Sequence, residues 1–145
     1  MEFQKMSHLK IIPPEDLPLE DGLQLMLRLQ KELNAKVYPK AIRNLRINSL
    51  QNTPEDFTLE TKEIMTKEYL LAVMRECAEA MDLINSKFWK DTHKEVDIVE
   101  LKYEMIDILH FVLSLFDIWS MDKNEVLGIF ISKYKENVRR HENGY

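Results

Sequence analysis

Glycine is scarce in this 145-residue chain: Gly22, Gly128 and Gly144 are the only three, scattered along its length. No Gly-rich loop is available to cradle phosphates, so P-loop and Rossmann readings have no support. Cysteine is scarcer still. Cys77 stands alone, which excludes an intrachain disulfide and suits a reducing cytoplasm. Basic charge is also short, with 20 Lys and Arg against 25 Asp and Glu, a net charge of −5. A general nucleic-acid binder needs the opposite, a phosphate-neutralising basic surface. No run is long and apolar enough to span a bilayer, and the N-terminal segment lacks a signal-peptide core. The expectation is a cytoplasmic protein with neither a membrane nor a nucleic-acid partner.

What is present is an ordinary globular mixture, 45% hydrophobic and 31% charged, of a length that suits one domain. Pro13-Pro14 and Pro18 break regular structure, so residues 1–19 read as an extended lead-in and residues 20–145 as the domain. A first helix is expected after Glu20-Asp21. Leu25, Met26, Leu29 and Leu33 recur at helical spacing, and the pattern ends before Pro39. Residues 36–53 are ambiguous, with Asn48-Ser49 and Gln51-Asn52 suggesting a loop.

Thr53-Pro54-Glu55-Asp56 has the form of a helix start, with Thr53 as cap and Pro54 at the first helical position. That second helix runs to about Ser86, with room for a break, and Phe88–Lys94 forms a connection. A third helix covers roughly Val96–Trp119. A capping box at Asp122-Lys123-Asn124-Glu125 opens a fourth, which continues to about His141. Strand-like alternation is nowhere sustained. The fold class is all-α, a bundle of four to five helices.

The third helix carries the sharpest signal. Between Met105 and Ile118 every residue is apolar except Asp107, His110, Ser114 and Asp117, spaced 3, 4 and 3 apart, and Glu104 extends the stripe backwards. At about 3.6 residues per turn these side chains share one narrow face. A helix apolar around most of its girth is enclosed by others, so the stripe must face water or a buried polar site. The second helix repeats the design with Glu76, Glu79 and Asp82 at every third position. The 24 residues between Glu79 and Glu104 leave room for a reversal, so the two stripes can face each other.

Facing carboxylates are costly. Two at about 5 Å repel by roughly 3 kcal/mol at an effective dielectric near 20. Four would shift their pKa values upward unless cations intervene. Hard oxygen ligands suit Mg²⁺, which shares itself with substrate phosphates, orients them and activates water. Acidic residues fill 25 of 145 positions, however, so acidic pairs at this spacing also arise by chance, and one pair alone is ordinarily a solvated face. A di-iron site usually needs Glu-x-x-His on each of two helices. Asp107 and His110 offer metal-ligand spacing once, and the second helix has no histidine.

These segments resemble a known family. Glu76-Cys77-Ala78-Glu79 with Asp82 and Lys87-Phe88-Trp89-Lys90, then Tyr103-Glu104-Met105-Ile106-Asp107 followed by His110-Phe111 and Ser114, are similar to the two metal motifs of the dimeric dUTPases. That family belongs to the all-α nucleotide pyrophosphatases, together with MazG-like enzymes and dCTP pyrophosphatases. Gln30 to Asn34 resembles its base-reading N-terminal helix. Lys133, Asn137 and Arg140, followed by Gly144-Tyr145, resemble its C-terminal phosphate motif. Tyr69 departs from the pattern, standing where those enzymes often have Trp.

The resemblance implies that Glu76, Glu79, Glu104 and Asp107 hold two or three Mg²⁺ (Mn²⁺ as a substitute), with Glu79 polarising the attacking water. Lys133, Asn137 and Arg140 would bind phosphate, as would Lys87 and Lys90, although exposed lysines are common. Gln30, Asn34, His110 and Phe111 would form the base site, against the ordinary readings of solvated amides, a core histidine and a core phenylalanine. The implied reaction converts dUTP to dUMP and pyrophosphate. Alternatives are dCTP, a modified pyrimidine or a broad dNTP range, and, from a different class, a non-enzymatic helical interaction module. The apolar girth of the two striped helices predicts a homodimer.

Overall fold

A computed structural model describes residues 9–49 and 52–144. Among the described residues there are four α-helices, α1 (Gly22–Asn44), α2 (Leu59–Leu83), α3 (Ile98–Ile118) and α4 (Lys123–Glu142), and no strand. Each helix starts on a side-chain cap. Asp21, Thr58, Asp97 and Asp122 accept hydrogen bonds from the backbone N–H of Gln24, Thr61, Glu100 and Glu125, satisfying donors the helix itself leaves free. The Asp122 cap is the one expected from the sequence. Of the expected lead-in, residues 9–19 are exposed with one 3₁₀ turn at Pro14–Asp16, and residues 1–8 lie outside the described residues.

Two expected boundaries are corrected. Pro54–Asp56 forms a separate 3₁₀ turn rather than the first turn of α2, which begins five residues later on its own Thr58 cap. Phe57 turns into the core between them, which breaks the run. The first helix passes through Pro39 and continues to Asn44. A proline removes one N–H from the ladder and crowds the carbonyl four residues back, at a cost of about 3 kcal/mol. Tyr38 and Ile42, 1% and 4% exposed, anchor the helix on both sides of it. Asn48-Ser49 does fall in irregular chain, and Gln51 lies outside the described residues.

Pairings along the helices set their directions. Trp119 Nε1 donates to Thr66 Oγ1 at 2.9 Å, and Phe111 packs edge-on against Tyr69. Glu104 meets Glu76 and Glu79, so α2 and α3 run antiparallel. Gln30 pairs with His110 and Ser114, and Tyr38 with Asp117, so α1 and α3 run parallel. The most extensive helix contact is between α2 and α3, and α4 lies against α1. An apolar core of Tyr38, Ile42, Phe57, Met65, Tyr69 and Ile118 joins α1, α2 and α3 at one end. Tyr38 makes T-shaped ring contacts with Phe57 and Tyr69 there, the geometry favoured by the ring quadrupole.

The buried face of α1 is not its apolar stripe. Gln30, Asn34, Tyr38 and Ile42 are its buried residues, whereas Met26, Leu29 and Leu33 are exposed. The stripe of α3 also faces inward, with Glu104, Ser114 and Asp117 buried and Met105 and Ile106 half exposed. The bundle therefore carries a polar seam through its interior and apolar residues outside.

Met65, fully enclosed, is the packing centre of this core. Met65→Ala should lower the unfolding free energy by about 2–5 kcal/mol, as a large-to-small core substitution does, measured by urea denaturation followed by circular dichroism.

Candidate active site

Helix α2 brings Glu76 and Glu79 onto one face three residues apart, and α3 sets Glu104 opposite them. One carboxylate oxygen from each of the three lies within 4.8 Å of the others. Glu104 is 8% exposed, and its Oε2 is buried with no hydrogen-bond partner among the described residues. An unpaired buried carboxylate oxygen is expensive, and proteins rarely tolerate one without an ion or proton to answer it. Burial pushes the Glu104 carboxyl up to about 7, and the nearby charges of Glu79, Asp107, Glu76 and Glu100 add to the effect. Burial likewise raises Glu76, reinforced by Glu79 and Asp107. Asp107, one turn further along α3, is raised by burial, partly held back by His110 and pushed further by Glu100.

All these shifts share a sign, and a hard divalent cation reverses it. The donor set is all oxygen, and one of its acids, Glu104, carries a buried oxygen with no hydrogen-bond partner among the described residues. That combination fits Mg²⁺, which binds through one or two carboxylates and keeps several waters. The acids therefore qualify as a place for a divalent ion on the chemistry of the residues themselves.

Beside the acids lies a cavity of about 360 Å³, walled by Glu79, Glu100 and Glu104 together with Asp82, Asp97 and Lys94. Asp82 and Lys94 also line a second cavity of about 260 Å³, together with Lys87, Lys90 and Ser86. An acidic cleft thus adjoins a basic one. The loop that carries the lysines is held closed by Asn85. Its Nδ2 donates to the Lys94 carbonyl at 3.0 Å, its Oδ1 accepts from the Lys94 N–H at 2.9 Å, and the Lys94 ammonium donates to the Asp82 carbonyl. Phe88 and Trp89, in T-shaped contact, are exposed at the loop's tip.

The rest of the α3 stripe meets α1 in a closed hydrogen-bond network. Asn34 Nδ2 and the Tyr38 hydroxyl both donate to Asp117 Oδ2, at 2.9 and 2.6 Å. Gln30 Nε2 donates to Asn34 Oδ1 and Ser114 Oγ, and Gln30 Oε1 lies 2.6 Å from His110 Nδ1. Gln30, Asn34, Ser114 and Asp117 are buried in this seam, and His110 at its edge is exposed.

The residues singled out in the sequence are thus distributed over four places. Glu76, Glu79 and Glu104 converge, with Asp107 electrostatically coupled beside them. Lys87 and Lys90 line the adjoining cleft. Gln30, Asn34 and His110 meet in the α1–α3 seam, and Phe111 packs half-buried on Tyr69 at the margin of the apolar core. Lys133, Asn137 and Arg140 lie on α4, which is seated on α1 rather than over the acids, and Arg140 donates to Glu136 at 2.9 Å. Tyr145 lies outside the described residues.

Three contributors escaped the sequence reading. Glu100 is buried and faces the acids, and its spacing of four before Glu104 continues the stripe one turn earlier. Tyr38 closes the seam, again four residues after Asn34. Asn85 carried no signal, since a loop asparagine is ordinary.

An all-α bundle with acidic pairs on two adjoining antiparallel helices has the architecture of the all-α NTP pyrophosphatases, the MazG-like superfamily. A family model described as dUTPase matches residues 22–117, from the start of α1 into the last turn of α3, and the chain belongs to that family. A dCTP pyrophosphatase of Enterobacteria phage T4 is 27% identical over 143 residues, covering 87% of this chain and 84% of the relative. A dCTP pyrophosphatase of Enterobacteria phage LZ5 is 26% identical over 144 residues, covering 86% and 83%. No solved structure matches the chain at the same stringency. No helix among the described residues is long and apolar enough to cross a membrane.

The raised Glu104 carboxyl sets a pH dependence. It binds its proton more tightly folded, at about 7, than unfolded, near 4.5, so its stabilising contribution is complete below 4.5 and lost as pH rises through 7. With EDTA present, the melting temperature should fall across that window. Adding Mg²⁺ at pH 7.5 should raise it again, because the ion binds only the folded acids. Glu104→Gln should be more stable than the metal-free parent at pH 7.5 and should lose the Mg²⁺ response, both read by scanning calorimetry.

Proposed function

We propose that this protein is a Mg²⁺-dependent pyrophosphohydrolase that cleaves a pyrimidine deoxynucleoside triphosphate to its monophosphate and pyrophosphate. The observation that carries the reading is the gathering of Glu76, Glu79 and Glu104, the last with a buried Oε2 that has no hydrogen-bond partner among the described residues, in a chain of the dUTPase family. We take dCTP as the preferred substrate, because both phage relatives are dCTP pyrophosphatases and align with most of this chain. The family's description keeps dUTP as the second reading.

In the mechanism, Glu76, Glu79, Glu104 and Asp107 are the groups that would hold Mg²⁺. When bound, the metal supplies Lewis-acid stabilisation of phosphate charge and lowers the pKa of water. Glu79, half-buried in the wall of the cavity, is placed to orient a water and accept its proton. Lys87 and Lys90 offer positive charge to the triphosphate from the neighbouring cleft. Lys133, Asn137 and Arg140 bind the same phosphates only if α4 of this chain or of a second copy reaches the α2–α3 cleft. At the other end, His110 is the exposed group one turn beyond Asp107, and it faces the base. Gln30 and Asn34, buried behind it, act through it, while Phe111 backs this end of the site from its packing on Tyr69.

The assembly we infer is a homodimer. Met26, Leu29, Leu33 and Val37 expose one apolar face on α1, and Leu127, Phe130, Tyr134 and Val138 another on α4. Apolar faces of this extent are rare on monomers and are ordinarily covered by a partner.

The functional test is incubation of the purified protein with each dNTP, with Mg²⁺ and with EDTA, and chromatography of the products. Monophosphate and pyrophosphate should form from dCTP, more slowly from dUTP, and only with the metal. Glu79→Gln should slow turnover by about 10²–10⁴-fold, the range of a lost general base, with unchanged helical content. Turnover of neither pyrimidine would refute the reading.

Light scattering should return twice the chain mass at micromolar concentration. A single-chain mass would refute the dimer.

A further inference from the structure

The seam between α1 and α3 has a direction, and Asp117 imposes it. Asp117 Oδ2 receives two hydrogen bonds, from the Tyr38 hydroxyl at 2.6 Å and from Asn34 Nδ2 at 2.9 Å. A carboxylate accepts and cannot donate, so Asn34 must turn its amino group toward Asp117 and its carbonyl oxygen away. That oxygen accepts from Gln30 Nε2 at 3.0 Å, and the single hydrogen of the Ser114 hydroxyl is shared between it and the His110 carbonyl, each at 3.1 Å. Gln30 is thereby held with its amino group inward, and its Oε1 faces His110 Nδ1 at 2.6 Å. An amide oxygen also only accepts, so the imidazole hydrogen sits on Nδ1. In the neutral ring Nε2 is then the acceptor. Nε2 has no hydrogen bond recorded among the described residues, and His110 is exposed. Gln30, Asn34 and Ser114 are 5%, 2% and 1% exposed, so water has little access to break the chain of dependence.

We propose that Asp117 is a positioning residue that sets the tautomer of His110 through Asn34 and Gln30. His110 then presents a lone pair that pairs with the 4-amino edge of cytosine and opposes the 4-oxo edge of uracil. The selectivity half rests on the nucleotide reading given above, while the tautomer half stands on the seam alone. Asp117 lies seven residues from His110 on the same helix, about 10 Å along its axis, so it touches no base itself.

The test is imidazole ¹⁵N and ¹³C spectroscopy on the whole metal-free protein at pH 8, where histidine is ordinarily neutral, with His110→Gln to assign the signal. Wild type should show the Nδ1–H form. In Asp117→Asn the new amide can donate as well as accept, so both inner amides are free to flip and the Nε2–H form should appear. The preference for dCTP over dUTP in kcat/KM should then fall by up to about tenfold, through KM, as loss of one hydrogen bond's discrimination predicts. Tyr38→Phe leaves the Asn34–Asp117 bond in place and should keep the Nδ1–H form, which separates polarity from simple loss of packing.

A wild-type ring protonated at Nε2, or an Asp117→Asn spectrum identical to wild type, overturns the positioning role. A tautomer shift with an unchanged substrate ratio, or a wild-type preference for dUTP, overturns the selectivity. If wild type turns over no nucleotide, the function reading and the selectivity fall together, while the spectra still decide the positioning role.

Discussion

Turning the polar stripe of α3 inward obliges the fold to answer every group along it, and the two halves are answered differently. Toward the C-terminal end, Ser114 and Asp117 meet donors and acceptors supplied by α1, at distances between 2.6 and 3.1 Å. Toward the N-terminal end, Glu104 lies against the acids Glu76 and Glu79 of α2. A buried network that is fully satisfied adds rigidity, whereas one left incomplete is a liability in a low dielectric. The incomplete half borders an acid-lined cavity of about 360 Å³ and adjoins the lysine-lined loop. The deficit is thus local and lies where a charged ligand has access.

The same constraint explains the outer surface. With a polar seam occupying the interior of α1 and α3, the apolar residues of both helices have fewer inward positions to fill. Met26, Leu29, Leu33, Met105 and Ile106 are consequently on the outside. The true apolar core is small and lies at the far end of the bundle, where Tyr38, Phe57, Met65, Tyr69 and Ile118 meet. Pairing with a second copy would return the outer residues to an apolar environment, so the polar interior and the proposed dimer have one origin.

Much of this was legible in the sequence, and the reasons are specific. The narrowness of the α3 stripe survived into the structure because helical periodicity fixes which residues share a face before any packing occurs. The convergence of Glu76, Glu79 and Glu104 followed from that periodicity and from one reversal of the chain. Which face of α1 was buried was not legible, because hydrophobicity pointed to Leu29 and Leu33 while the polar partner on α3 selected Gln30 and Asn34. Pro39 misled for a related reason: its local cost is overridden by the tertiary anchoring of Tyr38 and Ile42, which a window on the chain does not contain. Asn85 was invisible, since its role depends on the backbone of Lys94, nine residues away.

Placing both halves of the seam on one helix has a mechanical consequence. Glu104 and His110 are six residues apart, about 9 Å along the axis of α3, and a continuous helix holds that separation nearly constant. If the acids take the phosphate end of a ligand and His110 the base, the ruler between them is a single rigid element rather than two loops that move independently. Chemistry and selectivity are then separable by position. Changes among Glu76, Glu79 and Glu104 act on charge and proton transfer, and changes around Gln30, Asn34 and Asp117 act on which base is admitted. Helix α1 supplies no acid to the cluster, and α2 supplies nothing to the recorded hydrogen bonds of the seam. On the proposed function, substrate preference would therefore shift through α1 and the last turns of α3 while the acid cluster stays unchanged.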